Sequence, residues 1–497
     1  MYCDGRGQLD DGMHEYTTLT PENSNVKDLY TNCYKGIRAA NAVIYYSQFA
    51  DIDENLKNKR IDEARVIAAN YYYLLVNTFG GVPIMNEFVT ESELGYPKSS
   101  LEACYTHIIT ELESVITNNN LEPSTAEQGG ARVSMEAAKA LAAYTYLSAG
   151  WDLDKKDYFA KAALYADQVI AGRTLITPFA DLWNADGSGD DNHEFIWDVE
   201  YDFDSANDKT TGGHSLSAQG CGYLGGQEDN IKYNNSGYLP TLYALHCFEP
   251  GDKRYEVTFM KALPNIRAGS EYSYWSWYEN EEEPLLGIPV VRYYSAWYET
   301  EDDIEAWKNI DYENRKDVYV IPMAENSKEP QNMTGEDVNY YDMVTQYTYG
   351  GAPVKKFDDR VSIPMSKSAN TNYRDIHIYT LSEMFLVAAE AYMKNDDPVN
   401  ASDRLNEVRK RAGVAAKSSV DIEDILAERA CELYGQGTRW IDLRRTNTLV
   451  EHNDLYNPQI AGRAVQYIGE KEYRPIPQDA FDANDALDPD VDQNPGY

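Results

Sequence analysis

The feature that most constrains what this chain can fold into is helical periodicity confined to two blocks, roughly residues 27–171 and 378–446. In both, apolar residues recur at helical spacing through Ala-rich interiors. One small pattern appears three times: Ala68-Ala69-x-x-Tyr72, Ala142-Ala143-x-x-Tyr146 and Ala388-Ala389-x-x-Tyr392. Paired small residues let a neighbouring helix come close, and a Tyr one turn on fills the space beside it. Each copy is followed by a second helical stretch, SLEACYTHIITELESVI, YFAKAALYADQVI and ASDRLNEVRKRAG in turn. Helix pairs repeated in this way are of tetratricopeptide type, with the usual period of about 34 residues broken by long insertions. The expected fold is mainly α: a scaffold of tetratricopeptide-like helix pairs with a long irregular insertion containing short β-strands.

That insertion runs from 173 to 376 and is rich in Gly, Asn, Asp, Pro and Tyr. Short β-like runs stand out in it, such as EFIWDVE (Glu194 to Glu200) and YVIPM (Tyr319 to Met323). Residues 447–497 read as an irregular C-terminal segment, and the whole chain, 1–497, as one domain.

Charge narrows the function. Lys and Arg total 44 against 82 Asp and Glu, a net charge of -38, which opposes attraction to nucleic acid or an anionic membrane and favours a neutral or cationic ligand. The 41 Tyr residues supply flat apolar faces with a hydrogen-bonding edge, a composition suited to amphipathic surfaces as well as to helix packing. Six Cys at 3, 33, 104, 221, 247 and 431 form no CxxC pair and define no disulfide framework or metal motif. No apolar run of about 18 residues is present to span a bilayer. The start, MYCDGRGQLDDGMHEY, has neither a basic n-region nor an apolar h-region. Catalytic signatures are missing too: there is no HExxH, no GxxxxGK[ST] and no GxGxxG after a strand, and GHSLS (Gly213 to Ser217) lacks the final Gly of a nucleophile elbow. A carboxylate pair for glycoside hydrolysis stays open, since 82 acids make coincident pairs inevitable, but it ranks below a noncatalytic reading.

Several segments, in order, resemble the SusD/RagB family. They are YKGIRAANAVI (Tyr34 to Ile44), EARVIAANYYYLLVNTFGGVPI (Glu63 to Ile84), EFIWDVE, LSEMFLVAAEAYMK (Leu381 to Lys394), RLNEVRKRAGV (Arg404 to Val414), ERACELYGQGTRWIDLRR (Glu428 to Arg445), YRPIP (Tyr473 to Pro477) and QNPGY (Gln493 to Tyr497). Their physical content is structural. Gly80, Gly81 and Pro83 should end a helix and force an extended exit. Arg439, Trp440 and Asp442 should lock a helix end by an ion pair and a buried indole. The resemblance implies a surface lipoprotein of the outer membrane that works beside a SusC-like TonB-dependent transporter. It also implies that the true N-terminus, with its signal and lipidated Cys, is missing from this chain; Cys3 lacks the flanking residues for that role.

Sugar rings present C–H groups on one face and hydroxyls at the rim, so a glycan site needs flat aromatic surfaces flanked by amide, carboxylate and guanidinium groups. EYSYWSWYENEEEP (Glu271 to Pro284) fits best: read as extended chain, it puts Trp275 and Trp277 on one face and Tyr274 and Tyr278 on the other. A second cluster offers Arg292, Tyr294 and Trp297. The resemblance adds the loop after the Phe-Gly-x-Val-Pro turn, where Tyr96 is the candidate. NADGSGDDNHEF partly matches a calcium loop, with Asn184, Asp186, Ser188, Gly189 and Asp190 at positions one, three, five, six and seven but Phe195 at position twelve. No other cofactor is expected. The leading reading is capture of a glycan for import, with peptide import on the same fold or a protein-binding tetratricopeptide scaffold as alternatives.

Overall fold

A computed structural model describes residues 2–3, 12–90, 95–124, 132–206, 212–216, 237–266, 270–347, 349–360 and 372–497. The first helical block folds into α1 (Ser24–Ser47), α2 (Glu54–Phe79), α3 (Leu101–Asn118), α4 (Met135–Asp152) and α5 (Lys156–Ile170). The second forms α6 (Leu381–Lys394), α7 (Pro398–Ala412), α8 (Ile422–Glu432) and α9 (Arg439–Arg445). Consecutive helices pack on one another, and α6 packs on α5, so the array resumes where the insertion interrupted it.

The repeated pattern works as its chemistry predicts. All six pattern alanines are buried. The Tyr72 hydroxyl accepts from the Met85 amide at 2.7 Å, while Tyr146 and Tyr392 donate to Glu113 on α3 at 2.6 Å and to Asp167 on α5 at 2.5 Å. Each tyrosine thus pins its own helix to the element beside it. Capping sets the helix ends. Asp53 accepts from the amides of Asn55 and Leu56 to start α2, and Thr380 with Glu383 forms a capping box at α6. Gly80, at φ 71°, ends α2, and a Cβ at Gly81 would lie 2.3 Å from the Ser99 carbonyl oxygen, as the Gly-Gly-x-Pro turn requires.

The GTRWIDLRR segment locks more of the frame than one helix end. Asp442 pairs with Arg429 at 2.8 Å and Arg445 at 2.6 Å rather than with Arg439. Arg445 also reaches Glu390 on α6 at 2.5 Å, and Arg444 reaches Asp152 on α4 and Asn77 on α2. Arg439 instead donates to the Leu426 carbonyl, and the Trp440 indole, half-buried, donates to the Tyr16 hydroxyl at 2.8 Å. The C-terminal segment folds back in the same way: Asn494 donates to the carbonyls of Phe79 and Arg474.

Two expected strands form. Phe195–Val199 pairs antiparallel with Ile376–Thr380, the two stretches that lead out of and back into the helical frame. Tyr319–Pro322 lies parallel to Val290–Ser295, which also pairs antiparallel with Ala262–Pro264. The insertion has its own apolar core, including Phe248, Tyr255, Phe259, Tyr274, Tyr294 and Tyr340. Buried polar contacts dock it on α8: Arg254 meets Asp252, Glu428 and Glu432, and Lys356 donates to the carbonyls of Glu432 and Tyr434. Cys33, Cys104, Cys247 and Cys431 are free. No described helix is long and apolar enough to cross a membrane.

The ribbon holds an acid whose charge is suppressed. Burial, then the nearby Asp190, Glu200 and Asp191, push the Asp198 carboxyl up to about 8, while burial pulls its partner His377 down to about 3. The two meet at 2.5 Å and are neutral together near pH 7. A carboxyl whose folded pKa lies above its unfolded value contributes stability that is complete below the unfolded value and is lost as pH rises through the folded one. The unfolding midpoint is therefore expected to fall between pH 6 and 9, and Asp198→Asn to flatten that fall; thermal melts across the range check it.

Candidate ligand-binding site

The aromatic run at 271–284 is not a strand. Ser273 accepts from the Trp275 amide and Ser276 from the Ser273 amide, a capping box that winds Tyr274–Tyr278 into a short 3-10 turn. Local serine hydrogen bonds compete with strand pairing, and three residues per turn distribute the rings differently from the two faces of a strand. Tyr274 is fully buried and gives its hydroxyl to Asp358 at 2.8 Å, so it offers no ring face to a ligand. Tyr278 donates to the same carboxylate oxygen at 2.6 Å. Trp275 is half-buried against Tyr274 and Tyr278.

Trp277 and Tyr278 border an open cavity of about 380 Å³. Val257 and three other segments complete it. Asn184 and Asp186 come from the acidic loop, Asn280 and Glu281 from the residues just after the turn, and Lys355 and Arg360 from a stretch far along the chain. Asp358, behind the tyrosines, fixes the turn, and Arg360 donates to the Tyr278 carbonyl at 3.1 Å. The Lys355 ammonium lies 5.0 Å from the Trp277 ring centroid and 6.0 Å from that of Tyr278. Burial lowers its pKa to about 8, yet it stays mostly charged at neutral pH. Among the described residues it has no hydrogen-bond or ion-pair partner, whereas the neighbouring Lys356 satisfies three acceptors. An aromatic face is thus flanked by amides, carboxylates and cations, the set that binds a ring carrying both donors and acceptors.

The other expected residues do not join this site. Arg292 is buried, donating to the Pro330 carbonyl with its guanidinium 3.8 Å from the Tyr349 ring centroid, and Tyr294 is buried with its hydroxyl on the Tyr349 carbonyl. Both sit in the central strand Val290–Ser295, and these interior contacts leave them no solvent face. Trp297, 38% exposed, packs beside His246 and donates to the Phe248 carbonyl, away from the cavity lining. Tyr96 is held by paired backbone hydrogen bonds to Asn484, next to the C-terminal segment.

The calcium-like loop serves a guanidinium. Asp190 pairs with Arg374 at 2.5 Å, and the Asn184 carbonyl accepts from the same side chain at 2.5 Å. Sequence reading had no signal for Lys355 or Arg360, because neither belongs to a motif.

A model described as SusD family matches residues 193–497, and one described as starch-binding associating with outer membrane matches residues 6–147. The chain is 23% identical over 464 residues to a SusD-like protein of Formosa agariphila, spanning 87% of this chain and 75% of that one. A SusD-like protein of Bacteroides ovatus is 21% identical over 434 residues, with 86% and 66% covered. Among solved structures, a SusD superfamily protein from Parabacteroides distasonis superposes with TM-score 0.71 at 22% identity, covering 100% of this chain and 91% of that one. Surface glycan-binding protein A from Bacteroides thetaiotaomicron, in complex with laminarihexaose, gives 0.67 at 19% identity, with 99% and 91% covered. A laminarin binding SusD-like protein gives 0.63 at 22%, with 100% and 92% covered. At these identities the structural likeness carries the fold.

Proposed function

From the premise that this chain belongs to the SusD family, we propose that it is a noncatalytic surface protein that captures a glycan and passes it to a TonB-dependent outer-membrane transporter. The observation that carries the ligand class is the cavity at Trp277 and Tyr278, where aromatic faces meet amide, carboxylate and ammonium groups. Solved relatives that bind laminarin or hold laminarihexaose support a glycan as the cargo. Attachment to the outer membrane through a lipid, and the transporter as partner, rest on the family and on the description of the second model. The reading needs no cofactor.

A second reading has one observation behind it. The net charge of -38 would draw basic peptides to the same fold. Isothermal titration separates the two: saturable binding to laminarihexaose, xyloglucan or another oligosaccharide of a neutral panel is expected, with no response to a basic peptide mixture. Peptide binding with a silent glycan panel would overturn the proposal.

A further inference from the structure

Helix α2 carries a stripe that its neighbours cover only in part, the Tyr71 ring lying against Gly36 of α1. Ile67, Asn70, Tyr71 and Leu74 recur at i, i+3, i+4 and i+7, the spacing of one helical face, and all four are only half-buried. They border a cleft of about 790 Å³ whose far side includes Ile378 of the returning strand and Ile441 of α9. This is twice the volume of the cavity at Trp277, shares no residue with it, and falls within the few hundred to roughly a thousand Å³ of small-molecule sites.

Its polar groups differ in what they have left to give. The cations Arg132 and Arg429 are paired with Glu63 and Asp442. Asp198 is engaged by His377, and Glu383 accepts from Tyr144. The exposed Glu200 carboxylate has no ion-pair partner among the described residues, so an anion entering the cleft would meet a like charge and no uncommitted counter-charge. The buried Nη1 of Arg429, whose charge Asp442 balances, and Nε2 of His377 lack hydrogen-bond partners, and two amides remain. Asn70 accepts from the Tyr379 hydroxyl and Gln436 from Lys356, but among the described residues neither amide NH2 has an acceptor. Apolar walls with donors awaiting an oxygen describe a ligand by its chemistry.

We propose that this cleft is a second binding site, for a flat, neutral, largely apolar molecule that carries a hydrogen-bond acceptor oxygen. The apolar body covers the α2 stripe and Ile378, and the oxygen accepts from Asn70 or Gln436. The site is separate from glycan capture at Trp277, because the two linings share no residue.

Isothermal titration of the full chain with 2-naphthol tests it, with 2-naphthoate and 2-(aminomethyl)naphthalene as the anionic and cationic probes of the same shape. Saturable one-to-one binding of 2-naphthol is expected, at least fivefold tighter than either charged probe. Leu74→Trp and Ile378→Trp fill the cleft from opposite sides with side chains that are half-buried to begin with, so one variant reads the site if the other does not fold. Each is expected to weaken 2-naphthol by at least tenfold and to leave oligosaccharide binding unchanged. Absence of saturable 2-naphthol binding, equal or tighter binding of a charged probe, or wild-type affinity in a folded filling variant overturns the proposal. None of these outcomes depends on whether an oligosaccharide binds at Trp277.

Discussion

Trp277→Ala is expected to weaken oligosaccharide binding by about 30-fold or more, the consequence of losing roughly 2 kcal/mol at a residue that anchors an interface. Trp277 provides the flat face in the cavity, and Lys355 already covers part of the ring, so a sugar laid on the rest touches indole and ammonium together. Trp275→Ala is the internal control. Its ring is two residues away yet outside the cavity lining, and its loss is expected to change affinity less than threefold. Tyr278 is a poor choice for the same experiment, because its hydroxyl helps Tyr274 satisfy the buried Asp358. Titration of both tryptophan variants, with circular dichroism to show that they are folded, checks the prediction. A folded Trp277→Ala protein with unchanged affinity would place the glycan elsewhere.

The largest effect on stability is expected from Asp442→Ala. This carboxylate lies between Arg429 and Arg445, all three almost fully buried. Burial alone would raise its pKa, but the two guanidinium groups outweigh burial and hold it down at about 2. Removing it leaves two like charges in the core with only part of their hydrogen bonding, and breaking a buried pair in this way costs about 3–5 kcal/mol. The denaturant midpoint is expected to drop accordingly, and Asp442→Asn, which keeps an acceptor, to drop less. A loss of under about 1 kcal/mol in both would show that the network is not what fastens α8 and α9 to α4 and α6. The sign with pH follows from the lowered pKa. Stability from this group is present above the unfolded carboxyl value and is lost as pH falls through about 2, so acid weakens the frame that Asp442 holds while alkali weakens the ribbon that Asp198 holds.

The frame was legible because its information is local. An Ala-Ala-x-x-Tyr turn, a capping Thr380 with Glu383 three residues on, and a Gly80-Gly81-x-Pro83 exit each act within one or two turns of chain, so spacing alone foretells them. The aromatic run shows the limit of that approach. Alternation suggested a strand with two ring-bearing faces, but Ser273 and Ser276 close hydrogen bonds with their own backbone and wind the segment up. One tryptophan then reaches the cavity and the first tyrosine is buried. The strand at Val290–Ser295 failed as a site for a different reason: a central strand of three has neighbours on both sides, and Arg292 and Tyr294 are consumed by interior contacts that lie tens of residues away.

By itself, then, the sequence determined a mainly α frame of paired helices, the strands at Phe195–Val199 and Tyr319–Pro322, and an aromatic segment at 271–284 from which the candidate site would draw. Only the tertiary structure decided that Trp277 meets Lys355 and the Asn184–Asp186 loop, that Asp190 of the calcium-like turn pairs with Arg374, and that the α2 stripe faces an open cleft. The division has one physical cause. Helix periods, caps and turns are fixed by interactions between near neighbours, whereas a cavity is the space left between elements after they pack, and nothing in the spacing of residues along the chain records it.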